Sequence, residues 1–250
     1  MSKTVIVAAV AVVAGVTAAF VGNDATEQSA APRVIVEDFN GSELDGQDWL
    51  VYDSPDKEPP RSSAAVSVGG GMLHLTGGFD AAAGKDVGAG LMSTTQLKYG
   101  RWEVRFRVDK GAGYSAEVLL WPLENEDWPR VGEIDVAEVN DPQRQSVLHY
   151  LHHGEDDDKI GSSTPVDFTQ FHTVAVDWRA DRVVYYLDGV ETFRVTGQTF
   201  DGGLPTESKM HLALQLDQGC NDFIPCRNAA TPKKVSMDVD WVKIYPDEAH

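Results

Sequence analysis

Between Gly100 and Asp109 the chain reads GRWEVRFRVD, in which Trp102, Val104, Phe106 and Val108 alternate with Arg101, Glu103, Arg105 and Arg107. A period of two puts the apolar side chains on one face of an extended strand and the charged ones on the other, a separation no helix would give. Such a strand needs a second apolar surface to rest on. The rest of the sequence supplies it in the same way. From Val34 onwards, short runs rich in Val, Ile, Phe, Tyr and Trp are interrupted by Gly, Pro, Asp and Asn, which is the punctuation of an all-β chain. Strands are expected at 72–76, 100–109, 116–121, 132–139, 146–151, 172–178, 182–187, 210–216 and 235–245. Asp188-Gly189, between VVYYL and VETFRV, is a two-residue hairpin signal that needs positive φ. After residue 33 there is neither a sustained helical period nor an internal repeat. The expected architecture is a sandwich of two antiparallel sheets, and 250 residues, 42% of them hydrophobic, suffice for one large core.

The formal net charge of −18 repels nucleic acid and anionic membrane surfaces. A neutral partner is easier to accommodate, and the charge also serves simply to keep an exported protein in solution. No protein partner is implied, and a monomer is expected. Met1-Ser2-Lys3 is followed by an uncharged run from Thr4 to Gly22, the order of a secretory signal, with cleavage after Ala18, Ala19 or Ala31. The run is nearly long enough to span a bilayer, so residues 1–22 are either a signal peptide or an N-terminal anchor. Residues 23–33 (NDATEQSAAPR) read as a linker and 34–247 as the folded domain. Cys220 and Cys226, in QGCNDFIPCRN, pair as a local disulfide in an oxidising compartment. A metal there would need ligands beyond Asp217 and Asp222.

Gly132 to Val139 reads GEIDVAEV and places Glu133, Asp135 and Glu138 in an otherwise apolar strand. On a regular strand Glu133 and Asp135 share a face, whereas Glu138, at an odd offset, points the other way. A β-bulge near Val136-Ala137 inserts one residue and restores the parity. The Cα atoms of the two glutamates would still stand roughly 13 Å apart on a flat strand. Only a concave sheet, with both side chains leaning over Asp135, brings the carboxyls to the ~5–5.5 Å of a retaining glycosidase pair. Crowded carboxyls drive their pKa values apart, giving one ionised nucleophile and one protonated acid, with Asp135 hydrogen-bonded to the nucleophile. An acidic triplet on a solvated face, or around a cation, is the plain alternative. Trp121 and Trp128-Pro129 precede the acids and offer aromatic faces to sugar rings. With Glu103 and Arg105 they describe a polar groove suited to polysaccharide.

EIDVAE at Glu133–Glu138 resembles the Glu-x-Asp-x-x-Glu signature of glycoside hydrolase family 16, the family of laminarinases, lichenases, agarases and carrageenases. YGRWEVR at Tyr99–Arg105, WPRVGEID at Trp128–Asp135, VLHY at Val147–Tyr150, FHTVAVDW at Phe171–Trp178, VVYYLDG at Val183–Gly189 and VDWVKIY at Val239–Tyr245 resemble further family strands in the same order. The resemblance implies a concanavalin-like β-jelly roll with a concave substrate cleft and a retaining mechanism. Glu133 would be the nucleophile, Glu138 the acid/base and Asp135 the assistant of the nucleophile. Glu103, Arg105, Trp121, Trp128 and His149 would contact sugar, although a satisfied core histidine is an equal reading of His149. No cofactor is needed for catalysis. A structural calcium opposite the cleft would draw on Glu37 and Asp240, two ligands of the six or more it takes.

The expected substrate is 1,3-β-glucan, because the bulged signature is more typical of laminarinases than of lichenases. Mixed-linkage glucan and galactans are alternatives, as is a transglycosylase using the same acids. The stretch Asn140-Asp141-Pro142 and the segment LQLDQGCNDFIPCRNAATPKK depart from the laminarinase pattern and leave linkage open. A non-catalytic lectin of the same architecture would be expected to lack a glutamate at 133 or 138, yet both are present. A surface-anchored structural protein is the third reading and rests on the uncleaved anchor.

Overall fold

The computed structural model describes residues 33–247. The expected signal or anchor and the linker as far as Pro32 lie outside the described residues. Apart from two short 3₁₀ turns, the described elements are strands. In chain order they are β1 (Ile35–Glu37), β2 (Trp49–Val51), β3 (Val66–Gly69), β4 (Met72–Asp80), β5 (Lys85–Val87), β6 (Ala89–Leu97), β7 (Gly100–Val108) and β8 (Tyr114–Pro122). Then follow β9 (Glu133–Val139), β10 (Ser146–His153), β11 (Asp158–Pro165), β12 (His172–Trp178), β13 (Arg182–Leu187), β14 (Val190–Thr196), β15 (Met210–Gln218) and β16 (Lys234–Pro246).

They form two antiparallel sheets, the expected jelly-roll sandwich. One has nine strands in the order β14-β13-β12-β7-β16-β4-β3, with β1 on β16 and β5 on β4; the other has seven in the order β11-β10-β9-β8-β15-β6-β2. Alternation decides what lies between them. Trp102, Val104, Phe106 and Val108 of β7 point inward and are buried, as are Val174, Val176 and Trp178 of β12. From the opposite sheet come Ala116, Val118 and Leu120 of β8 and Leu212, Leu214 and Leu216 of β15, and all of these join one apolar cluster. Each large side chain buried here contributes on the order of 1.5–3 kcal/mol. Trp102→Ala would cost about 3–5 kcal/mol, because the cavity it leaves cannot fully collapse.

The hairpin at Asp188-Gly189 forms as expected, with φ of 49° and 79° joining β13 to β14. Bulges interrupt the ladders where the sequence departs from strict parity. Val136 is extra on β9, Thr192 on β14 and Asp240 on β16. Strands β1, β2, β3, β5, β6 and β11 lie beyond the segments expected from sequence. Cys220 and Cys226 form a disulfide that closes the loop after β15. Arg144 is fully buried in the turn between β9 and β10. Its guanidinium donates to the carbonyls of Asp109, Gly111, Tyr114, Val139 and Asp141 at 2.8–3.2 Å. Burial lowers its pKa to about 10, so it stays charged and ties the β7–β8 loop to the end of β9.

Candidate active site

Strand β9 lies third in the seven-stranded sheet, between β8 and β10. Its inward residues are Ile134, Val136, Ala137 and Val139, all in the core cluster. Two consecutive inward residues, Val136 and Ala137, stand opposite His149 alone, because Leu148 pairs with Glu138 while Tyr150 pairs with Asp135. This is the expected bulge, at the expected place. It leaves Glu133, Asp135 and Glu138 together on the outer face of the sheet.

Trp128 Nε1 donates to Glu133 Oε2 at 2.9 Å, and Asp135 hydrogen-bonds the same carboxyl. His152, in register with Glu133 on β10, lies 3.4 Å from Asp135 Oδ2 through Nε2 and 2.8 Å from Asp157 through Nδ1. Glu138 faces Glu117 across β8, and its Oε2 is buried with no hydrogen-bond partner among the described residues.

Burial raises Glu133 above the ordinary glutamate range, against the pull of His152 and the hydrogen bonds from Asp135 and Trp128. Asp135 is pushed well up, by burial first and then by the charges of Glu133, Glu138 and Glu117. Glu138 rises to about 7 through burial and the charge of Glu133, with Lys159 opposing. Glu117 is also pushed well up, by burial and then by Asp217 and Glu138. Asp135 therefore keeps its proton and can give a hydrogen bond to Glu133. With its pKa near 7, Glu138 can both hold and release a proton around neutrality.

The surroundings are aromatic at one end of β8 and acidic at the other. Trp121 and Trp128 stack at 5.8 Å, with Trp121 Nε1 bonded to Asn125. Beside them a hollow of about 440 Å³ is lined by Leu50, Tyr52, Met92, Trp121 and His211 among others. Four residues earlier on β8, Glu117 borders a second hollow of about 400 Å³ together with Glu58, Asp217 and Phe223. Asp217 is paired there with Arg61 at 2.7 Å.

Three of the residues expected to contact sugar are elsewhere. Glu103 and Arg105 belong to β7, in the nine-stranded sheet, and face away from the core. Glu103 pairs with Arg101 at 2.8 Å and Arg105 with Asp240 at 2.9 Å. Parity fixed the face of β7 but not its sheet, which is why the expectation failed. His149 points with Val147 and Leu151 into the core, where it is completely buried. Trp121 and Trp128 are the two expected contacts that do stand beside the acids.

Sequence reading missed His152, Tyr150, Lys159 and Glu117. Tyr150 and His152 alternate with His149 in VLHYLHH, so their face was legible once the register of β10 on β9 was known. Gly161 stands opposite Tyr150, and a Cβ there would lie 2.2 Å from the tyrosine ring. The ring therefore rests directly on the backbone of β11.

Glu37 and Asp240, the two residues expected at a structural calcium, each have a protein partner. Glu37 accepts the Phe39 N–H at 2.7 Å, Asp240 is held by Arg105, and the described residues contain no cluster of three metal-ligating side chains.

Residues 62–243 match the family model described as glycosyl hydrolases family 16. A glucan endo-1,3-beta-glucosidase of Cryptopygus antarcticus is 31% identical over 141 residues, covering 50% of this chain and 52% of that protein. The endo-1,3-1,4-beta-glycanase ExsH of Rhizobium meliloti is 26% identical, covering 81% of this chain and 44% of that protein. The chain thus spans about half the length of these relatives or less. Among solved structures, the endo-beta-1,3-glucanase from Pyrococcus furiosus superposes with a TM-score of 0.77 at 20% identity, covering 87% of this chain and 95% of that one. The laminarinase catalytic domain from Thermotoga maritima gives 0.76 at 18% identity, with 88% and 100% coverage. Both likenesses concern the fold.

Proposed function

The chain belongs to glycosyl hydrolases family 16, and on that premise we propose that it cleaves internal bonds of a β-linked polysaccharide, 1,3-β-glucan first, with retention of configuration. The observation that carries this reading is the bulged strand β9. It sets three acids on one face, with Glu138 raised to about 7 and Glu133 hydrogen-bonded to Asp135.

In the first step the ionised Glu133 carboxylate attacks the anomeric carbon while Glu138 gives its proton to the glycosidic oxygen. The bond to the leaving chain breaks and an ester to Glu133 forms. Glu138, now a carboxylate, takes a proton from water as the water oxygen attacks the same carbon and releases Glu133. Asp135 steadies Glu133 through its hydrogen bond, and His152 braces Asp135. Trp121 and Trp128 offer apolar faces to sugar rings. Hollows near both ends of β8 leave room for chain on either side of the broken bond, which favours internal cleavage. The glucan linkage is drawn from the names of the relatives. Export belongs to the same reading, resting on the apolar run after Lys3, and N-terminal sequencing of the secreted form checks it.

Incubation of the purified domain with laminarin, lichenin, agarose and carrageenan, followed by new reducing ends, tests the proposal. Short oligosaccharides from laminarin are expected. Release from lichenin alone would move the substrate to mixed-linkage glucan, and release from agarose or carrageenan alone to a galactan. Products longer than the starting oligosaccharide would indicate transglycosylation. A folded protein that releases nothing from any of the four would overturn the reading in favour of a lectin.

A further inference from the structure

A bulge takes one peptide out of the ladder and leaves its polar groups to find other partners. In β9 that peptide carries the Val136 carbonyl, which accepts a hydrogen bond from His149 Nδ1 at 2.7 Å inside the core. A carbonyl cannot donate, so Nδ1 carries the hydrogen; burial pushes the imidazole pKa down and favours the neutral ring, in which Nε2 accepts. Its partner is the Thr192 hydroxyl at 3.2 Å, which also lies 3.3 Å from the Tyr185 carbonyl. Thr192 is itself the extra residue of the bulge in β14, on the facing sheet. The two bulges are thus joined across the sandwich through one neutral imidazole. Tyr185 packs beside it, 5.2 Å from ring to ring, and Tyr185 Oη donates to the Tyr150 carbonyl at 2.7 Å on the same strand as His149.

We propose that His149 is a positioning residue: by clamping the Val136 carbonyl against Thr192 it keeps the bulge in β9 and so fixes the aim of Glu138 beside Glu133. A strand without the bulge satisfies its own ladder, and a shift of one residue turns Glu138 to the other face. With an apolar residue at 149 the buried carbonyl is stranded without a donor, and the unbulged register gains by that difference. Glu133 and Asp135 lie on the other side of the bulge and keep their face either way. The clamp therefore acts on the acid/base group and not on the nucleophile.

This inference rests on the assignment of Glu133 and Glu138 above, and leaving-group dependence separates the two. Cleavage of a polysaccharide needs the proton from Glu138, whereas expulsion of dinitrophenolate from a dinitrophenyl β-oligoglucoside does not. For His149→Leu, kcat/KM on laminarin is expected to fall by about a hundredfold or more, the scale of a lost general acid, with at most a fivefold change, roughly, on the aryl glycoside. In His149→Asn the amide nitrogen takes the place of Nδ1 and should restore most of the loss. Thr192→Val should move kcat/KM on laminarin in the same direction by less. Melting midpoints establish that each variant is folded, and the Asn and Thr192 variants carry the test if the Leu variant does not fold. An activity-free readout is the NMR titration of the Glu138 carboxyl, whose midpoint should shift by about one pH unit or more in the Leu variant and stay near wild type in the Asn variant. Equal losses on both substrates, an Asn variant no better than Leu, or an unmoved titration would overturn the clamp. Wild-type protein inactive on both substrates, with the titration moving as expected, would instead overturn the catalytic assignment alone.

Discussion

The two outer faces of the sandwich both carry acids, and the acids around β7 and β9 are treated differently. On the nine-stranded sheet the acids beside β7 have cations at hand. Glu103 has Arg101, Asp240 has Arg105, and Asp238 has both Arg107 and His74. Burial pushes Asp238 up, but the hydrogen bonds from His74, Ser236 and Arg107 outweigh it and hold the carboxyl low. On the seven-stranded sheet Glu133, Asp135, Glu138 and Glu117 crowd one another, and all four are raised. Both faces contain a bulge beside an acid, yet among the described residues Glu138 Oε2 is left buried with no hydrogen-bond partner, while Asp240 is bonded to Arg105. Acid content alone therefore does not mark a reactive surface; withheld counter-charge does.

Substitutions that erase the contrast should have the largest effect. Glu133→Gln should lower kcat on the polysaccharide by about 10⁴-fold and Glu138→Gln by about 10²–10⁴-fold, because one removes the nucleophile and the other the proton donor. Michaelis kinetics on laminarin measure both, and full activity in either variant would sink the assignment. Asp135→Asn retains a hydrogen-bond donor to Glu133, so its loss in kcat should be smaller, about tenfold to a hundredfold.

The contrast also predicts a pH dependence. The rate should fall on the alkaline side with a midpoint near 7 as Glu138 loses its proton, and on the acid side as Glu133 gains one. Its acid limb should lie above that of an ordinary glutamate. Stability should follow the same group. Below the usual glutamate range, folded and unfolded chains both hold the proton and Glu138 contributes no difference. As pH rises from there to about 7, the unfolded chain releases the proton while the folded one retains it, so wild-type protein loses stability over that window. Glu138→Gln avoids the cost and should gain on the order of 1–2 kcal/mol at pH 7, read as a higher melting temperature that converges with wild type in acid. The smallest effects belong to the paired face. Arg105→Ala should change kcat/KM by less than about twofold and stability by about 1 kcal/mol or less, as for other part-exposed ion pairs. A large loss of activity there would collapse the distinction between the faces.

Parity explains both what was legible in the sequence and what was not. The alternation of GRWEVRFRVD gave a strand with one buried face, and the odd offset between Glu133 and Glu138 required the bulge that the structure contains. Neither pattern says which sheet a strand joins, so Glu103 and Arg105 were drawn towards acids on the far side of the molecule. The family resemblance put His149 among the sugar contacts, with a core histidine as an equal reading, and its parity with Val147 and Leu151 is the signal that places it inside. Strand β11, DKIGSSTP, escaped notice because it is an edge strand with little apolar content, and it carries Lys159. Glu117 carries no local signal at all. Its meaning comes from standing opposite Glu138 once β8 and β9 are paired.

Arg144 has a consequence for anyone who would re-engineer this cleft. Its guanidinium makes the β7–β8 loop and the β9–β10 turn one cross-braced joint, so neither can be lengthened or grafted without carrying the other along. Lysine could not replace it, since a single ammonium cannot span carbonyls set that far apart. The loop between β8 and β9, which carries Trp128, has no buried arginine of this kind among the described residues; its ties to the β14–β15 loop are the Leu123 N–H on the Lys209 carbonyl, Ser208 on Glu124 and the surface ion pair of Arg130 with Glu207. Swapping loops to change substrate should therefore succeed at the tryptophan end of the groove and fail at the end that Arg144 locks.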